Sequence, residues 1–118
     1  MIEIIEIAPK VLGLKIKGKI REEDMQNMIS VCEKKMESEE RIAVYVEVVE
    51  MGGITFDALI EDLKFALPNL KRFFKKAVVS ENKWHEPLIK IGDKLFPSIE
   101  VRHFSPEQKD EALKWVQE

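Results

Sequence analysis

Two histidines, one cysteine and a pair of adjacent glycines are the residues of this chain most open to chemistry, and their spacing narrows what that chemistry can be. His85 and His103 are the whole histidine set, and Cys32 has no second cysteine. No HExxH, CxxC, P-loop or GxSxG stretch occurs, so zinc hydrolysis, phosphate cradling and serine-hydrolase chemistry lack their minimal parts. Glu61 and Asp62 are adjacent on a helical stretch and face about 100° apart, so they are not a paired acid and base. Most carboxylates read as solvated surface. No metal, no cofactor and no enzymatic reaction is expected.

Binding is the chemistry left open. Gly52 and Gly53 follow an apolar strand, where paired glycines accept positive φ and let other groups approach the backbone. Thr55 and Phe56 come next and open a helix, with Thr55 placed as its N-cap. Trp84-His85-Glu86 opens a second helix after another strand. Gly52, Gly53, Thr55, Phe56, Trp84 and His85 are therefore the candidate binding residues; a first-turn histidine beside a core tryptophan is the structural alternative for His85. His103 reads as structural. Lys71-Arg72 and Lys75-Lys76 form a local basic cluster, either complementing a helix C-terminus or docking an acidic partner. Phe65, Phe73 and Phe74 beside it cannot all lie on one core stripe, so exposed apolar surface is expected there.

The elements that must position these residues follow from periodicity. Ile2–Ile7 predicts an edge strand, and Ala8-Pro9-Lys10 turns into Val11–Lys17, which alternates Leu12, Leu14 and Ile16 with lysines. Gly13 marks a possible bulge, and Gly18 ends the strand. A helix begins near Arg21-Glu22-Glu23-Asp24, its core stripe Met25, Met28, Ile29, Cys32 and Met36. Ile42–Val49 predicts a central strand, apolar except for Glu47 and broken by Met51-Gly52-Gly53. Phe56, Leu59, Ile60, Leu63, Leu67 and Leu70 predict the core stripe of the next helix, ending near Pro68. Phe73–Val79 is a second buried strand. Trp84, Leu88, Ile91 and Leu95 predict a helix from residue 82 or 83 to 95. Ile99–Phe104 is an outer strand, and Ser105-Pro106-Glu107-Gln108 caps a last helix docked by Ala112, Leu113, Trp115 and Val116.

Strands alternating with helices imply mostly parallel pairing. The 118 residues read as one α/β domain, 1–118, with a mostly parallel four- to five-stranded sheet and four helices. A net charge of -3 gives no basic footprint for nucleic acid. The single cysteine fits a reducing, cytoplasmic setting. The N-terminus lacks the basic start of a secretory signal, and no run reaches the roughly 18 apolar residues of an integral membrane segment.

In this order the chain resembles the SpoIIAA-like family, a branch of the STAS-like fold (sulfate transporter and anti-sigma factor antagonist). The resemblance is carried by GKIREEDM at residues 18–25, the apolar strand into Gly53, FDALIEDLKFAL at 56–67, SENKWHEPL at 80–88 and VRHFSPEQKDEALKWV at 101–116. It implies a β-α superhelix on a curved sheet and a stand-alone, frequently dimeric protein without established enzymatic activity. Anti-sigma factor antagonists carry an Asp-Ser-Ser-Gly-type turn whose serine is phosphorylated. Here Glu50–Thr55 holds no serine, and Thr55 is the one hydroxyl at which phosphorylation could occur. Two functions follow: an interaction or regulatory module, homodimeric or partner-binding, working through the glycine turn and the 56–70 helix, or a carrier or sensor of a small apolar, lipid-like ligand in a cavity of the kind suggested for such proteins.

Overall fold

A computed structural model describes residues 1–81 and 99–118. β1 (Ile2–Ala8) and β2 (Val11–Ile20) make the expected antiparallel hairpin. Ile5 pairs with Gly13 but Ala8 with Val11, so Glu6 and Ile7 oppose Leu12 alone. That is a bulge beside Gly13, as its position in the sequence predicts. β2 does not end at Gly18 but runs on to Ile20.

α1 (Glu22–Met36) starts where the acidic run predicts. The Asp24 carboxylate accepts from the Arg21 N–H at 2.9 Å, which satisfies one orphan donor of the first turn. Its stripe faces the sheet: Met25 and Cys32 are buried, with Met28, Ile29 and Met36 packed beside them. β3 (Ile42–Ile54) passes through Gly52-Gly53 instead of breaking there, because its extra length pairs with the extra length of β2, Gly18 with Met51 and Ile20 with Ile54.

α2 (Phe56–Asn69) carries Pro68 in its last turn and tightens into a 3-10 turn at Leu70–Arg72. β4 (Phe73–Val79) and β5 (Glu100–Phe104) complete the sheet, and a 3-10 turn at Pro106–Gln108 leads into α3 (Lys109–Gln117). Gln108 Oε1 accepts from the Ser105 N–H at 3.1 Å, the returning half of the predicted capping box. Three α-helices lie among the described residues. The helix expected at 82 or 83 to 95 lies outside them.

Among the described residues the strands are ordered β1-β2-β3-β4-β5, and every pair except the β1–β2 hairpin is parallel. The period of two along each strand splits the core into two layers. Leu12, Leu14, Ile16, Ile42 and Val46 face α1 and α2, whereas Ala43, Tyr45, Ala77, Val79 and Phe104 face α3.

α2 is seated differently from its sequence pattern. Phe56, Leu59, Leu63 and Leu67, expected in the core, are exposed, and the buried residue of the helix is Ala58. The face turned to the sheet carries Ala58, Asp62, Phe65 and Ala66. Small residues there let the helix approach closely, so the stronger apolar stripe points outward.

Candidate functional site

The glycine turn is built for the chain's own backbone. A Cβ on Gly52 would lie 2.7 Å from the Gly18 carbonyl carbon and 2.8 Å from the Lys19 nitrogen, so the close approach that glycine permits is already taken by β2. Gly53 sits at φ 95 and turns the chain toward α2. Thr55 Oγ1 accepts from the Ala58 N–H at 3.2 Å, which is the predicted N-cap. Phe56 is 75% exposed and converges with none of these. Trp84 and His85 lie outside the described residues. His103 Nε2 lies 2.9 Å from the Ser80 carbonyl oxygen, joining β5 to the end of β4 as a structural histidine.

The basic cluster is divided among separate tasks. Arg72 donates to the carbonyls of Met36, Glu39 and Glu40 at 2.7–2.9 Å, capping the C-terminal end of α1. Lys75 donates to the Trp115 carbonyl at 3.0 Å and stands over the Trp115 ring at 4.9 Å, on the α3 face. Lys76, its neighbour, points to the opposite face as strand geometry requires. Phe65 and Phe73 meet edge to face at 6.3 Å, and Phe74 lies beneath Arg41 and Lys75. These three rings are half-buried, so the exposed apolar surface expected from them is found on α2 instead.

Lys76 opens onto the site. It pairs with Val44 on one side and Val101 on the other, in the middle of the layer that α1 and α2 cover. Between that layer and α2 lies a cleft of about 190 Å³, walled by Leu14, Val46, Met28, Cys32, Phe65 and Phe73. Two charges enter it, Lys76 from β4 and Asp62 from α2. Lys76 is exposed to solvent, whereas Asp62 is half-buried. Desolvation pushes the Lys76 ammonium below the ordinary lysine value, opposed by the Asp62 charge. Burial likewise raises the Asp62 carboxyl, opposed by Lys76. Cys32 on the cleft wall is pushed up to about 11, by burial first and then by Glu33, so it remains a thiol.

A second depression, about 330 Å³, lies at the carboxyl end of β4 beside the middle of β3 and includes Glu47, Val79, Pro106 and Lys109. This edge is where ligands sit in open parallel sheets. Glu47 and Lys109 there are already matched. Glu47 accepts from Tyr45 at 2.9 Å, lies 3.0 Å from the Lys109 ammonium and 3.7 Å from that of Lys15. Burial alone would raise the Glu47 carboxyl, but Lys109 and Tyr45 hold it below its ordinary value.

The sequence and the fold place the chain among known proteins. The family model described as SpoIIAA-like matches residues 11–117. The chain belongs to the SpoIIAA-like family. A solved structure of an uncharacterised DUF3478-family protein with a SpoIIAA-like fold, from Shewanella loihica PV-4, superposes on this SpoIIAA-like chain with a TM-score of 0.77. The two are 26% identical, and the match covers 98% of this chain and 92% of the other. No curated protein matches. The resemblance seen in the sequence is thus correct, and the STAS-type architecture of a regulatory or binding module goes with it. Among the described residues no helix is long and apolar enough to cross a membrane.

The sequence reading had set Asp62 aside as half of an acid–base pair and placed Lys76 in a basic cluster, and had not joined the two at one cleft. The signal was there in Lys75-Lys76: two successive lysines inside a strand covered on both faces must send one into the helix layer.

Proposed function

We propose that this SpoIIAA-like chain is a non-enzymatic, cytosolic binding or regulatory module that acts through protein–protein contact, with the outward face of α2 as its docking surface. The observation that carries this reading is the apolar ridge on that helix. Phe56, Leu59, Leu63 and Leu67 are 75%, 39%, 43% and 56% exposed and recur at helical spacing. Single exposed apolar residues need no explanation, but a continuous ridge marks an interface.

The partner this face suits is a second copy of the chain. Asp57 and Lys64 lie seven residues apart along one flank of the ridge, both exposed. Two helices packed antiparallel about a two-fold axis set each Asp57 beside the other copy's Lys64. Sedimentation velocity over a concentration series tests this. The unmodified chain is expected to dimerise, and Leu63→Glu with Leu67→Glu to remain monomeric. Thr55→Ala, which removes a cap worth about 1 kcal/mol, leaves association unchanged. A dimer that survives the double substitution places the interface elsewhere.

The cleft favours a second reading, a carrier or sensor of a small apolar ligand, because its walls are aliphatic and aromatic. Native mass spectrometry of freshly purified protein, with a retained small-molecule adduct as the expected result, tests it.

A further inference from the structure

Three cations and two aromatic rings form one row on the α3 side of the sheet. The Arg41 guanidinium stands 6.0 Å from the centre of the Phe74 ring, and the Lys75 ammonium 5.9 Å from the same centre. Lys75 is also 4.9 Å from the centre of the Trp115 ring, and so is the Arg102 guanidinium. Contacts of this kind occur roughly once per 70–80 residues, so four that share two rings exceed what chance placement gives. Lys75 has a task within the fold: it is half-buried and caps the C-terminal end of α3 through the Trp115 carbonyl. The two arginines at the ends of the row have none. Both are exposed, and Arg41 makes no hydrogen bond or ion pair among the described residues. Arg102 meets the Glu100 carboxylate at 3.5 Å, but both side chains are more than half exposed, so water competes for the pair.

We propose that this row docks an acidic, extended segment of a partner protein, with one carboxylate on the Arg41 guanidinium and another on that of Arg102. A ring behind a guanidinium restrains its plane and takes none of its donors, which suits it to a carboxylate. Strand spacing and rise put the two Cα atoms about 16 Å apart, which an extended chain spans with about five residues. A peptide fits this surface better than a nucleic acid does. Arg102 and Trp115 line a groove of about 600 Å³ that also carries Glu111 and Glu118, and Glu40 precedes Arg41. Those carboxylates, with a net charge of -3, repel a continuous run of phosphates. Acidic residues at intervals avoid them. The face lies opposite α2, so this docking is separate from self-association through that helix.

The test is an NMR titration of the full ¹⁵N-labelled chain with the blocked heptapeptide Glu-Ser-Glu-Ser-Glu-Ser-Glu. It is expected to saturate shifts of the Trp115 indole and of amides around Phe74 and Arg102, whereas the same peptide with Lys for Glu should not. Arg41→Ala and Arg102→Ala should each weaken binding by about threefold or more, and the two together should abolish it. Arg41→Lys with Arg102→Lys keeps the charge but loses the planar fork, and should also weaken it. Lys34→Ala, exposed on α1, should leave affinity unchanged, as should Leu63→Glu with Leu67→Glu; dispersed spectra confirm that the variants fold. A double-lysine variant that binds as tightly as the unmodified chain would reduce the row to general charge attraction and overturn the assignment. So would an acidic peptide that moves no resonance on this face. A single-stranded oligouridylate that binds more tightly than the peptide would overturn the choice of partner.

Discussion

The two faces of the sheet treat charge in opposite ways. On the α3 face, Glu47 is held by Tyr45, Lys109 and Lys15, and Lys75 is held by the Trp115 carbonyl and ring. On the α1–α2 face, Asp62 and Lys76 open into a cleft with neither bound to anything among the described residues. A matched charge serves the fold, because its desolvation is offset where it stands. The Lys76 ammonium needs no such partner, because it stays exposed to water.

The comparison breaks most readily at Glu47. Glu47→Ala is expected to lower unfolding free energy by about 2 kcal/mol, since it leaves the Tyr45 hydroxyl and the Lys109 ammonium without their acceptor. Urea denaturation measures this, and a cost near zero would mean that the α3 face gains nothing from its pairing. Lys76→Met is the counterpart and should have almost no effect. Replacing this exposed ammonium by an apolar chain of similar length is expected to change stability by no more than about 0.5 kcal/mol. Destabilisation in the same denaturation series would show that Lys76 has a structural partner.

The smallest effect sharpens the contrast through pH. The folded carboxyl of Glu47 lies below its ordinary 4.5, so its contribution is present above that value and is lost as pH falls through the folded value. The folded carboxyl of Asp62 lies above its ordinary 3.8, so the folded state holds its proton longer and stability falls as pH rises from there through the raised folded value. Removing each carboxylate in turn, as Glu47→Gln and Asp62→Asn, should therefore change the acid limb of the stability–pH curve in opposite directions. Thermal denaturation between pH 3 and 7, about the range over which these groups titrate, checks the signs.

Most of the fold was legible in the sequence because it rests on local rules. The hairpin turn at Pro9, the bulge beside Gly13, the acidic start of α1, the Thr55 cap and the strand Phe73–Val79 are all where pattern and capping chemistry place them. The misplacements share one cause. Gly18 and Gly52-Gly53 read as breaks, but each β2 and β3 extension finds its hydrogen-bond partners in the other, and no local signal reports a neighbour far along the chain. At the candidate glycine turn the same long-range neighbour was invisible. The close approach that Gly52 permits is taken by the backbone of β2, whereas a Cβ on Gly53 would meet nothing.

The sequence by itself determined the element order, the caps and which residues share a side of each element, since periods of 2 and 3.6 are properties of the backbone. It also required that Lys75 and Lys76 part company across the sheet. Only the tertiary structure decided which side of α2 meets the sheet. Burial depends on how closely two elements can approach, so Ala58 and Ala66 went inward and the larger Phe56, Leu63 and Leu67 stayed out. That choice carried Asp62 over Lys76, leaving two charges facing one cleft from residues fourteen positions apart.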